Sequence, residues 1–302
     1  MKFLIFISTY LITLINIFQT NPVVDLKNNP GNQQLSEIEI VDGTYENRPH
    51  FIIKTSTATY YYDKAGGGFS RMLDADRTDW INYKTEPWDT YPASAASAYR
   101  GIPNLVFGSD DSGAGHPGHN KCISKQLNNH TIFTESTSGK WQWRWDFFEQ
   151  YAQLTMLKID SIQPYWFLYE GTPGGIFKPS DQYFGNNKGG PFTQTPDYYK
   201  GDQLFDHWQW FYVGAKNSDH TLFMLQIKPD DLSDTFSYLG NTDQGILSND
   251  GMVVFGFGRA EGAKPLLNGA NTYILGFYNN AIFNNREHRK ISRYIEWLSG
   301  SN

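Results

Sequence analysis

A chain of 302 residues that is 39% hydrophobic and only 19% charged can bury a core, which sets it apart from the charge-rich compositions that stay disordered. Its formal net charge of −6 argues against a nucleic-acid partner, since phosphate binding depends on clustered Lys and Arg, but a local basic patch could still hold an anionic substrate. Aromatic residues reach 16%, with 9 Trp and 19 Tyr, more than packing alone requires, so some rings are expected to face a ligand.

Residues 1–20, MKFLIFISTYLITLINIFQT, place a Lys beside the initiator Met and follow it with an uncharged apolar run. That pattern predicts a secretory signal peptide, a secreted or periplasmic product and no membrane association after cleavage. Residues 21–48 are polar and aperiodic and read as a linker or a loosely attached first strand, with a single domain over 49–302. Short alternating or aromatic runs then recur between Gly, Asn, Asp and Pro clusters: His50–Thr55, Thr59–Tyr62, Gly68–Leu73, Trp141–Phe147, Ala152–Ile159, Tyr165–Glu170, Trp208–Gly214, Thr221–Ile227, Met252–Gly258 and Asn271–Tyr278. Within Trp141–Phe147 the three Trp residues share one face and Gln142, Arg144 and Asp146 the other, because successive strand side chains point to opposite sides. Cys122 is the one cysteine, so no internal disulfide forms and stability rests on the core. Only Glu287–Leu298 reads as a helix, with Ile291, Tyr294, Ile295 and Leu298 at i, i+3, i+4 and i+7. No fixed-period repeat is present, which leaves an all-β, two-sheet antiparallel β-sandwich with a short C-terminal helix.

The segment Phe51-Ile-Ile-Lys, Tyr60-Tyr-Tyr-Asp-Lys and Gly66-Gly-Gly-Phe-Ser-Arg-Met-Leu-Asp-Ala-Asp-Arg-Thr-Asp-Trp80 resembles the opening of the galactose-mutarotase-like β-supersandwiches. There, two strands lead through a Gly-rich turn into a strand ending in Asp-x-Asp. The resemblance implies a fold found in aldose epimerases, in accessory domains of glycoside hydrolases and in polysaccharide lyases. The epimerase pattern of two His and a late Glu is not recognisable in its usual contexts. Trp166-Phe-Leu-Tyr-Glu-Gly-Thr-Pro-Gly-Gly175 and Val254-Phe-Gly-Phe-Gly-Arg259 look like signatures to which no activity attaches.

The densest polar cluster runs from Tyr99-Arg-Gly-Ile-Pro-Asn104 into the Gly-rich stretch 108–121, which gathers Arg100, Asp110, Asp111, His116, His119 and Lys121. Three chemistries fit it. In a β-elimination, His116 or His119 takes the proton α to a uronate carboxylate, Arg100 and Lys121 balance the developing charge, and Tyr169 protonates the leaving oxygen. In a hydrolysis, two carboxylates drawn from Glu170, Asp146, Asp110 and Asp111 flank the bond at roughly 5–5.5 Å for retention or 6.5–9.5 Å for inversion. In a metal site, His116-x-x-His119 with Asp110 or Asp111 holds zinc or a similar divalent ion; separately, the Asp230-Asp231 pair could hold calcium through oxygen.

Arg144, between Trp143 and Trp145, could fork onto a carboxylate or sulfate, and His207 beside Trp208 is a second imidazole candidate. Lys121, Asp110, Arg144, Trp143, Trp145, His207 and Trp208 are therefore the expected substrate-binding residues. The leading expectation is a secreted carbohydrate-active enzyme that cleaves an anionic polysaccharide by β-elimination. A glycoside hydrolase with paired carboxylates and a non-catalytic carbohydrate-binding protein are the alternatives.

Overall fold

The computed structural model describes residues 38–85, 99–193, 204–240 and 251–300. Two antiparallel sheets of nine strands each dominate them. The first runs in the order β1 (Glu39–Tyr45), β2 (Arg48–Lys54), β3 (Ala58–Asp63), β4 (Gly68–Asp74), β5 (Gly101–Asn104), β10 (Phe167–Gly171), β17 (Met252–Phe257), β16 (Asp234–Leu239) and β13 (Leu204–Asp206). The second runs β12 (Gly189–Phe192), β11 (Gln182–Asn186), β14 (Trp210–Ala215), β15 (Thr221–Gln226), β20 (Thr272–Tyr278), β9 (Tyr151–Lys158), β8 (Gln142–Phe147), β7 (Thr131–Ser136) and β6 (Cys122–Asn128). A short hairpin, β18 (Arg259–Ala260) with β19 (Lys264–Pro265), follows β17, and the chain ends in helix α1 (Asn285–Gly300). Neither sheet closes on itself. The two-sheet antiparallel sandwich expected from the periodicity is the observed architecture.

Three aromatic layers account for the composition. Between the sheets lies the main core, where Tyr60, Tyr62 and Phe69 of the first sheet meet Trp143, Trp145 and Phe147 of the second. Behind the second sheet, Trp210, Tyr212, Phe223 and Ile274 are covered by Ile291, Ile295 and Leu298 of α1, the stripe that the helical spacing marked. In front of the first sheet a smaller cluster forms from Trp166, Leu168, Leu239, Met252 and Val254. Where both faces of a sheet are covered, central strands such as Met252–Phe257 are buried at every position and lose the alternation that β8 and β9 keep.

All ten expected runs contain strands, each within two residues of the expected bounds. Three of the strands that composition did not mark have identifiable causes. β5 reads Gly-Ile-Pro-Asn, which looks like a turn, and β6 is an edge strand with exposed Ile123 and Leu127 among polar neighbours. β1 falls inside the stretch 21–48 and pairs with β2 along its whole length, so the first sheet begins at Glu39. The expected signal peptide at 1–20 lies outside the described residues.

Alternation along β10 is what creates a site. Phe167 and Tyr169 point into the inter-sheet core, which sends Trp166, Leu168 and Glu170 to the front face of the first sheet.

Candidate functional site

Glu170 is a buried carboxylate on that front face, paired across the sheet with Gly101 of β5 on one side and Val254 of β17 on the other. The stretch 105–118 folds over the same face and delivers His116, whose Nε2 lies 3.3 Å from Glu170 Oε2 with both side chains only 2% exposed. The other carboxylate oxygen, Oε1, accepts a hydrogen bond from Asn104 Nδ2 at 3.2 Å. Glycine at 101 permits the approach, since a Cβ there would sit 2.2 Å from Pro117 Cγ and lift the loop off the sheet. Turn hydrogen bonds Ala114 N to Asp111 O and His116 N to Gly113 O hold the loop's path.

One buried guanidinium feels the Glu170 charge and a second follows from the chain beside Gly101. Arg259 of β18 hydrogen-bonds Thr235 Oγ1 and lies over the Trp166 ring, 5.7 Å from its centroid. Burial pushes its guanidinium down to about 10, against the pull of the Glu170 charge, which favours the cation. Arg100, adjacent in the chain to Gly101, holds a left-handed φ of 64° and donates to Asn82 O and Gly251 O. A non-glycine residue there is a local strain that those buried hydrogen bonds offset.

His119 lies one turn further along, half-buried, with its ring centroid 5.4 Å from that of His116 and edge-on to Tyr99. Gly113 packs beneath it: φ is +92°, and a Cβ would fall 2.4 Å from the His119 ring. Arg48 of β2 ties this end down, bonding Asp63 Oδ2 at 2.7 Å and His119 O at 2.9 Å, while Gly118 N donates to the same Asp63 oxygen. Burial holds the His119 imidazole down to about 4; His116, Arg48 and Lys121 act in the same direction and Asp63 against it. The ring is therefore neutral across the physiological range.

A stability consequence follows from linkage. Between pH 6.5 and about 4 the unfolded chain protonates His119 while the folded chain does not, so stability is full above that window and falls as pH drops through it. Replacing His119 by Gln should flatten the dependence of the urea midpoint on pH over this interval, as measured by fluorescence. An unchanged slope would show that other groups set it.

Of the residues named from sequence, the structure brings together His116, His119 and Glu170, with Lys121 at the loop's end, where its Nζ bonds the backbone oxygen of exposed Asp110 at 2.7 Å, while the Arg100 guanidinium is engaged with Asn82 O and Gly251 O. It puts the others elsewhere. Tyr169 faces the inter-sheet core and its hydroxyl donates to Trp80 O, so it is turned away from Glu170's face. Trp143 and Trp145 are buried in the main core, and Arg144 pairs with Asp146 on the far side of the second sheet, at 2.7 Å. His207 sits at the edge beyond β13 beside Asp206 and Lys188, and Trp208 is buried against Phe211. Asp111 is buried within the loop and Asp146 lies on the far side of the second sheet with Arg144. Among the described residues no group of three or more His, Cys, Asp or Glu side chains is arranged to hold a metal ion. Cys122 is buried, and burial pushes its thiol up to about 12, which makes it inert.

Asn104 and Arg259 were not assigned roles from sequence. Both stand in segments whose composition drew attention, but their link to Glu170 is made by strand register and by the β18 hairpin, neither of which is a local signal.

No protein-family model and no curated protein matches the sequence. Solved structures do. The protein HI1317 is 10% identical and matches over 82% of this chain and 98% of its own, with a TM-score of 0.51. A galactose mutarotase related enzyme from Lactobacillus acidophilus is 9% identical and matches over 77% of this chain and 98% of its own, with a TM-score of 0.50. The fold is the galactose-mutarotase-like β-supersandwich. At such identities the likeness is one of backbone, so the chemistry of this supersandwich must be argued from its own front-face residues. Among the described residues no helix is long and apolar enough to cross a membrane.

Proposed function

We propose that this chain is a carbohydrate-active enzyme that transfers a proton on a sugar, and that the reaction is β-elimination at a uronic acid unit. The observation that carries the reading is the His116–Glu170 pair, 3.3 Å apart on the front face of the first sheet. An imidazole beside a buried carboxylate is an acid–base device, because the carboxylate charge stabilises the imidazolium that forms on proton uptake.

His116, whose Nε2 lies 3.3 Å from Glu170 Oε2, takes the proton onto Nδ1 from the carbon α to the uronate carboxylate. The electron pair left behind forms the carbon–carbon double bond as the bond to the β-oxygen breaks. That oxygen leaves as the alcohol of the neighbouring sugar after gaining a proton. Tyr99, whose ring lies edge-on to His119, supplies the phenol in place of Tyr169. Arg259, Arg100 and Lys121 provide the positive charge that an enolate-like intermediate requires. The cations favour elimination over anomer exchange, which builds no comparable anion. A single carboxylate facing an imidazole also differs from the separated carboxylate pair of a glycosidase.

The test is the product. Purified protein should generate ultraviolet absorbance of the conjugated unsaturated uronate on at least one member of a panel of alginate, pectin, ulvan and glycosaminoglycans. New reducing ends without unsaturation would reassign the chain to hydrolysis. Anomer exchange of free sugars seen by NMR, with no chain cleavage, would reassign it to epimerisation, and silence in all three assays would favour a binding protein.

A further inference from the structure

Ring contacts continue beyond His119 across the front of the first sheet. Tyr99 stacks on Tyr83 with centroids 5.9 Å apart and planes at 22°. Tyr83 lies against Tyr45 at 6.2 Å, and Tyr45 against Tyr61 at 5.3 Å. Tyr61 alternates with the core residues Tyr60 and Tyr62, so it projects to the same face as Glu170. All four tyrosines are half-buried, unlike the fully buried rings of the inter-sheet core.

The far end of the row carries a cation. Arg71 of β4 is the register partner of Tyr61, and its guanidinium carbon lies 5.3 Å from the ring centroids of both Tyr45 and Tyr61. Its Nε faces Asp79 Oδ2 at 3.2 Å, and its side chain is 33% exposed. Its terminal nitrogens have no hydrogen-bond partner among the described residues. Two rings and a carboxylate thus hold the planar group in place while its outer edge remains open to a bidentate acid.

We infer that Tyr83, Tyr45, Tyr61 and Arg71 form a distal subsite for a second acidic unit of the substrate, so that the ligand is an acidic oligosaccharide rather than a single sugar. The inference rests on the reading that the His116–Glu170 site takes an acidic sugar. Half-exposed tyrosine rings offer apolar surface to the C–H faces of pyranoses, with little side-chain entropy to lose. Arg71 then selects a carboxylate or sulfate.

Binding, measured apart from turnover, tests it. Saturated uronate dimers and hexamers, and a neutral hexamer, are titrated into the full chain carrying Glu170→Gln, which blocks cleavage, and followed by calorimetry. The acidic hexamer should bind more tightly than the dimer. Arg71→Gln should weaken the hexamer about tenfold, as expected for the loss of one charged contact at a partly exposed site, and leave the dimer within about twofold. Tyr45→Ser should reduce the same length-dependent gain, with both variants checked for an unchanged melting transition. A gain that survives both substitutions, or that the neutral hexamer shows equally, overturns the subsite. Failure of the elimination reading registers separately, as length-dependent acidic binding with no unsaturated product from the wild-type chain.

Discussion

Glu170→Gln should lower kcat on the preferred uronate by about 10²–10⁴-fold, the range contributed by a positioned acid–base group, while leaving the fold in place. Gln keeps the shape and still offers an oxygen to Asn104 Nδ2, but it cannot stabilise an imidazolium at His116 across the 3.3 Å contact. His116→Ala should match it in kcat, because the two residues act as one unit, and the double substitution should cost little more than either alone. The two variants differ in stability. Removing the imidazole leaves the Glu170 carboxylate buried beside Asn104 with one partner fewer, and a buried group deprived of a partner costs about 1–3 kcal/mol. Glu170→Gln removes the charge itself. The informative measurement is therefore kcat for both variants alongside their urea midpoints. Full activity in Glu170→Gln would remove the pair from the mechanism, whatever the effect of His116→Ala on folding.

Trp145→Ala should cost about 3–5 kcal/mol, enough to unfold a large share of a marginally stable domain. Trp145 is fully buried, lies 4.6 Å from Phe69 of the opposite sheet and packs against Phe147 and Phe167, so truncation opens a cavity that bridges both sheets. Replacement by Phe separates packing from hydrogen bonding. The Trp145 indole N–H has no hydrogen-bond partner among the described residues. The Trp143 N–H, two residues away on the same face, donates to Tyr62 Oη at 3.1 Å, and that hydroxyl bonds Thr134 Oγ1 at 2.7 Å. Trp143→Phe should therefore be the more destabilising of the two Trp→Phe substitutions, by about 1–2 kcal/mol, because it removes one bond of a buried chain. Paired denaturation curves decide it, and equal losses would show that ring volume alone matters at both positions.

The contrast between these sites shows which parts of the molecule are legible locally. The period-2 spacing of Trp141, Trp143 and Trp145 predicts a shared face, and the 3.6-residue spacing of Ile291, Ile295 and Leu298 predicts a covered helix stripe; both follow from the geometry of one segment. Which face of β8 meets the other sheet is a different matter. With three aromatic layers in the molecule, a Trp-rich face could have been core or ligand platform, and only the packing of β8 opposite β3 and β4 made it core. His207, Trp208 and Arg144 were attractive for the same reason and are held by the same packing in other places.

By itself the sequence determined the antiparallel sandwich, its C-terminal helix, and the Gly-rich loop that contributes Arg100, His116 and His119. Tertiary structure alone decided that Glu170 rather than Tyr169 faces that loop, that Asn104 and Arg259 belong with it, and that a tyrosine row leads from it to Arg71. The physical reason is that hydrophobic period and turn chemistry act over a few residues. Register places Gly101, Glu170 and Val254 side by side from three separate parts of the chain, and no local pattern encodes that pairing.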